Sequence, residues 1–162
     1  MGPEIFCNSD WAGDPETRVS VTGFIIYLLS VPICWRSKSQ KGVTLLSTEA
    51  KYVVISGAVK QIKFIYFLLS DFHIKVNLPI VVKTDKIGAI FISENALTGF
   101  RTRHVDTRYH FVREFIKDGF IKIEFFRSVE NDSDLFTKNV NQELYAKHTK
   151  KFLEGSEVHS TI

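Results

Sequence analysis

The feature that most restricts the fold is a change of hydrophobic period near Gly42. Before it, apolar residues come in short β-branched and aromatic runs: Glu4 to Trp11, Val19 to Leu29, and Ile33-Cys34-Trp35-Arg36 after Pro32. The first two are separated by the turn-rich Ala12-Gly13-Asp14-Pro15-Glu16. Consecutive strands with turn chemistry between them predict an antiparallel meander. After Gly42 the positions Ala50, Val53, Val54, Ala58, Ile62, Ile65, Leu68, Leu69 and Phe72 follow helical spacing, which predicts one long amphipathic helix. Ser47 or Thr48 can cap its first turn, where Glu49 meets the positive end of the helix dipole.

The rest of the chain alternates. Pro79 opens a short apolar strand, Ile80-Val81-Val82, that ends at Thr84-Asp85 and passes into a candidate helix from Lys86 to Ser93. A further helix is carried by Val105, Tyr109, Val112 and Ile116 and stopped by Gly119, and the alternating run from Phe120 to Phe125 follows as a strand. Asn131 and Asp132 can each cap Ser133 to Lys138, with helix continuing from Glu143 to Leu153. Because parallel neighbours need a crossover helix, this order predicts an α/β fold: a mixed five-stranded sheet, three antiparallel strands then two parallel, flanked by helices. One domain is expected over 1–153, with a disordered tail over 154–162.

A length of 162 residues suits a single core, and 44% hydrophobic with 24% charged residues is a globular balance. No uninterrupted apolar run reaches the roughly 18 residues of a membrane span, so no membrane partner is expected. The 21 Lys plus Arg against 18 Asp plus Glu leave a net charge of +3, which permits a nucleic-acid partner without requiring one. Cys7 and Cys34 make no disulfide framework, and Met1-Gly2-Pro3-Glu4 has neither the basic start nor the apolar stretch of a secretory signal. The expectation is an intracellular, reduced protein.

In a sheet with parallel central strands, ligands collect at the strands' carboxyl ends, so acids ending a strand or starting a facing helix are the ones to inspect. Asp85 ends a strand, Glu49 stands in the first turn of the long helix, and Asp134 in the first turn of the terminal one. Each has a plain structural alternative: a dipole partner, a cap or a turn residue.

The segments Ser9 to Arg18 (SDWAGDPETR), Thr22 to Leu28 (TGFIIYL), Pro32 to Gln40 (PICWRSKSQ), Leu46 to Tyr52 (LSTEAKY), Lys83 to Ile90 (KTDKIGAI), Thr102 to Glu114 (TRHVDTRYHFVRE) and Asp132 to Lys138 (DSDLFTK) stand in that order. In them the chain resembles, over nearly its whole length, the ribonuclease H domain of copia-type retrotransposon polyproteins. The resemblance implies two-metal hydrolysis of the RNA strand of RNA–DNA hybrids, with Mg²⁺ and Mn²⁺ as a substitute, and a reverse transcriptase in the parent polyprotein. Hard cations of this kind are held by converging carboxylates, with two ions about 3.5–4 Å apart.

By resemblance Glu49, Asp85 and Asp134 match three metal-binding acids, and the fourth position falls on Asn8. An amide keeps one oxygen donor but no charge, so catalysis is expected to be impaired. Asp10 is a possible substitute, but it lies about 6.6 Å further along the strand. The family usually has an acid at Lys51 and an amide at Lys86. Lys51, two residues from Glu49, is read as a solvated surface lysine, and Lys86 as a possible partner of Asp85 or of a phosphate.

Arg101, Arg103, Arg108, Arg113, Lys38, Lys41, Lys63 and Lys86 are the candidates for nucleic-acid contact. His104 and Asp106 are read as a supporting network, His73, His148 and His159 as without context, and Trp11 and Trp35 as core. The alternative to an enzyme is a non-catalytic ribonuclease H-like module that binds nucleic acid or an acquired protein partner.

Overall fold

The central strand is buried on both faces: Ile5, Phe6, Cys7, Asn8 and Ser9 of β1 (Glu4–Asp10) are all shielded from solvent. The computed structural model describes residues 2–10, 19–40, 47–85 and 103–154, within which the side chains of 47–49, 103–106, 129 and 151–154 are not described. The expected helix over Lys86 to Ser93 and the tail beyond Glu154 lie outside those residues.

β2 (Val21–Leu28) pairs antiparallel with β1, and β3 (Val31–Ser39) antiparallel with β2. β4 (Ile80–Thr84) and β5 (Ile121–Phe125) add in parallel on the other side, giving the order β3-β2-β1-β4-β5. This is the mixed sheet the sequence predicts. Pro32 does not precede the third strand; it lies inside it. The edge position leaves its missing N–H without consequence, and a register shift beside its partner Tyr27 absorbs the ring. Leu29 and Ser30 make the tight hairpin turn with φ of 54° and 64°, a conformation usually given to Asn or Gly.

α1 (Ser47–Asp71) and α2 (Arg103–Lys117) cover one face of the sheet. Ile5, Cys7, Phe24, Ile26, Ile80, Val82 and Ile121 from the strands meet Tyr52, Ile55, Val59 and Ile62 of α1 and Tyr109 and Val112 of α2. Each such aliphatic side chain contributes about 1.5–3 kcal/mol by burial, and the Tyr52 and Tyr109 rings stack at 3.9 Å. Gly119, at φ +68°, ends α2 as expected, and the Phe120 amide closes the helix by donating to the Phe115 carbonyl.

The segment Ala50–Asp71 is long and apolar enough to cross a membrane by length and composition, a property an unbroken-run criterion misses. A core helix passes the same test, and α1 has one face from Ala50 to Leu69 buried against the sheet.

On the opposite face Phe6, Ile25 and Tyr27 pack with Phe126 and Phe136. Phe136 belongs to a short 3-10 helix, Asp132–Phe136, capped by the Asn131 side chain. This corrects one expectation. Asp134 lies in that separate turn, and the terminal helix α3 (Gln142–Glu154) begins after it.

Candidate functional site

The last rung between the parallel strands β1 and β4 joins Cys7 to Thr84. The next residues, Asn8 and Asp85, therefore stand together where the two strands part. Across the antiparallel ladder Asn8 faces Gly23. That glycine lets the 3-10 helix come close, for a Cβ there would lie 2.7 Å from Phe136 Cβ and 2.8 Å from Thr137 Cγ2. Asp134 is thereby set against Asn8. The fourth contribution comes from α1, and it is a lysine.

Lys51 Nζ donates to Asn8 Oδ1 and to Asp85 Oδ1, while Asn8 Nδ2 donates to Asp134 Oδ1. Asn8 Oδ1 also accepts from the Ser9 amide at 2.7 Å. The other oxygen of Asp134 accepts from Ser128 Oγ at 3.0 Å and pairs with Lys138 Nζ at 2.6 Å. Asn8, Lys51 and Asp134 are all nearly sealed from solvent, Lys51 being only 3% exposed. Among the described groups two carboxylates thus meet two ammonium groups, and the formal charge of the cluster cancels.

A second ring of bonds fixes the turn that carries Asp134. Asn131 Nδ2 donates to the Cys7 carbonyl at 3.1 Å, tying the turn to β1. Asp132 accepts from Tyr27 Oη at 2.9 Å and faces His148 Nδ1 at 2.6 Å, all three residues buried. Burial, and then the Asp132 carboxylate that it faces, hold the Tyr27 phenol well above its ordinary range. Burial likewise pushes the Cys7 thiol up, against an opposing pull from Lys51.

The structure brings Asn8, Asp85 and Asp134 together as the sequence suggests. Glu49 lies in the first turn of α1, and its side chain is outside the described residues. Asp10 ends β1 half-buried, opposite Val21, and the bonds of the cluster run through Asn8 instead. Lys51 is the main correction: it is not a solvated surface residue but the buried centre of the cluster. Lys86, read as a possible partner of Asp85, lies outside the described residues, as do Arg101, Lys41 and Trp11.

Trp35 is the second correction, being 61% exposed on the edge strand β3. An edge strand has a neighbour on one side only, so its aromatic has half the available cover. Of the other cations, Lys38 is exposed on β3, Arg108 exposed and Arg113 half-buried on α2, and Lys63 lies over the Phe115 ring at 4.9 Å. Arg103, His104 and Asp106 fall in the first turn of α2, their side chains outside the described residues. Sequence reasoning missed Tyr27, His148 and Lys138. Only Lys138 carried a visible signal, its i, i+4 spacing from Asp134. Among the described residues no group of three His, Cys, Asp or Glu is placed to hold a metal ion.

No family model matches the chain. It is 32% identical over 146 residues to the retrovirus-related Pol polyprotein from transposon RE2 of Arabidopsis thaliana, covering 90% of this chain and 10% of that one. To the Pol polyprotein from transposon TNT 1-94 of Nicotiana tabacum it is 34% identical over 135 residues, 83% of this chain and 10% of that one. The chain thus spans about a tenth of the length of the curated relatives it matches. Among solved structures, LC11 ribonuclease H1 in complex with an RNA/DNA hybrid is similar at TM-score 0.60, with 11% identity and 83% of this chain and 93% of that one covered. The N-terminal ribonuclease H domain of a Mycobacterium tuberculosis protein is similar at TM-score 0.59, with 10% identity and 93% and 97% covered.

Proposed function

From a chain whose homologues are the Pol polyproteins of copia-type retrotransposons and whose fold is that of ribonuclease H, we propose a ribonuclease H-like domain with impaired RNA–DNA hybrid cleavage. The parent activity is hydrolysis of the RNA strand, carried out beside a reverse transcriptase in the same polyprotein. The observation that carries the reading is the Lys51 ammonium lodged between Asn8 Oδ1 and Asp85 Oδ1.

Two-metal hydrolysis needs Mg²⁺ or Mn²⁺ held by several anionic oxygens converging on one point. The described residues of the cluster do not fit such ions. Asn8 offers one neutral oxygen, already accepting from Lys51 and from the Ser9 amide. Asp85 is paired with Lys51, and both oxygens of Asp134 are engaged, by Asn8 on one side and by Ser128 and Lys138 on the other. A cluster so occupied supports no hydrolytic step through a metal. The test is a cleavage assay on a labelled RNA–DNA hybrid in Mg²⁺ and in Mn²⁺, beside an active ribonuclease H. Cleavage is expected to be absent or orders of magnitude below the control, and full activity would defeat the proposal.

A second reading, a non-catalytic module that binds nucleic acid, has one observation in its favour. Trp35 is exposed on one face of β3, an aromatic surface of the kind on which single-stranded bases stack, while the exposed Arg36 and Lys38 of the same strand project from the other face. Binding of hybrid and of single strands, followed against salt, tests it. Affinity no greater than bulk ionic attraction would remove the nucleic-acid version.

A further inference from the structure

The arrangement at Asn8 leads further, on the premise that two-metal hydrolysis is impaired in this domain. We infer that Lys51 is the cluster's own cation, an ammonium tethered in place of a divalent ion, and that Asn8 is matched to it, so that the cluster is closed to divalent metals while Lys51 is present.

The amide of Asn8 is placed as a bridge between unlike charges. Its oxygen accepts from the Lys51 ammonium and its nitrogen donates to the Asp134 carboxylate. An amide does both at one position, whereas an ionised aspartate would set a carboxylate oxygen against Asp134, and an apolar residue would leave both charges short of a partner. The orientation is over-determined, because flipping the amide would aim N–H at an ammonium and oxygen at a carboxylate. Asn8 is therefore suited to a lysine and an aspartate on its two sides, and much less to a metal ion.

Lys51 spans the place where β1 and β4 part, since it bonds to Asn8 and Asp85, the first residue of each strand's course beyond the last shared rung. A cation there joins α1 to both strands and, through Asn8, to the 3-10 helix. A divalent ion entering the same space would meet a buried ammonium in a cluster whose described charges already cancel. Like charges at such separations, poorly screened by water, repel strongly.

Restoring a carboxylate at position 8 gives Lys51 another anionic partner before it gives a metal another ligand, so Asn8→Asp by itself does not open the site. Lys51 must be replaced as well.

Mn²⁺ is a direct probe. The full chain and the variants N8D, N8D/K51E and N8D/K51M are followed by paramagnetic broadening of the Asp85 and Asp134 amide resonances. Thermal midpoints are measured in MnCl₂ against NaCl at matched ionic strength. The wild-type chain and N8D should show neither selective broadening nor a gain in midpoint, and N8D/K51E should show both. If N8D/K51E does not fold even with the metal, N8D/K51M, neutral and of similar length at position 51, should give the same response. Selective broadening in the wild-type chain, a response of N8D alone as large as that of a double variant, or no response from either double variant would overturn the inference. Hybrid cleavage by the wild-type chain would instead count against the proposed function, and Mn²⁺ binding without cleavage against this inference alone.

Discussion

Gly23 stands across the β1–β2 ladder from Asn8, and a Cβ on it would lie 2.7 Å from that of Phe136. The absence of a side chain on β2 is thus what allows the Asp134 turn to reach the strand that carries Asn8. The nearest obstacles include the Phe136 backbone carbon at 3.1 Å, so relief by a flexible side chain is not available.

Gly23→Ala should therefore push the 3-10 helix outward, at a cost of about 1–3 kcal/mol typical of an overpacked site. Urea unfolding checks the stability. Faster hydrogen exchange at the Thr137 amide, which donates to the Asp134 carbonyl, checks the location. An unchanged midpoint with unchanged exchange would show that the close approach is not required.

Tyr27→Phe removes the hydroxyl that donates to buried Asp132 and leaves that carboxylate with a lost partner. The expected loss is about 1–3 kcal/mol, the range for stranding one side of a buried hydrogen bond. His148 holds the other oxygen of Asp132, so Tyr27→Phe and His148→Ala should be non-additive in a double-mutant cycle. Additive losses would mean that the three residues do not act as one network.

The stability should fall in alkali. Cys7 and Tyr27 are both neutral when protonated, and both are raised in the folded chain above their ordinary values of 9.0 and 10.0. The folded state consequently holds protons that the unfolded state has released, so stability is full below about pH 9 and is lost as pH rises beyond it. Each fully linked proton gives a slope of about 1.4 kcal/mol per pH unit. Cys7→Ala should flatten the first part of the decline and Tyr27→Phe the part above about pH 10. Unfolding free energies independent of pH across that window would contradict the burial of both groups.

Trp35, exposed on the edge strand, should add little to stability. Trp35→Ser is expected within about 0.5 kcal/mol of the parent, as for surface substitutions away from special features. The fluorescence lost in that variant should have been red-shifted and open to acrylamide quenching. A blue-shifted, protected component would show that this face is covered in solution.

Much of the architecture was legible in the amino-acid sequence because it depends on local periodicity. The β-branched and aromatic run in Val21 to Leu28, the period of 3.6 from Ala50 onward and the stop at Gly119 are properties of neighbouring residues. They suffice to order strands and helices. Pro32 inside β3 shows the limit, because whether a proline fits a strand depends on whether that strand is at an edge.

The same division runs through the site. The sequence by itself pointed to Asp85 at a strand end and to Asp134 at the start of a terminal helix, and through the resemblance to Asn8 as a position without the charge of an aspartate; that Asp134 sits in a separate 3-10 turn came from the structure. Helical spacing also put positions 49 and 51 on different faces of α1. It could not say which face the sheet end meets, because that phase is set by how Tyr52, Ile55, Val59 and Ile62 pack on the strands. Only the tertiary structure decided that Lys51 enters the cluster and draws Asn8 and Asp85 around an ammonium. The physical reason is that a charge acts through distance and burial in space, and neither is written in its position along the chain.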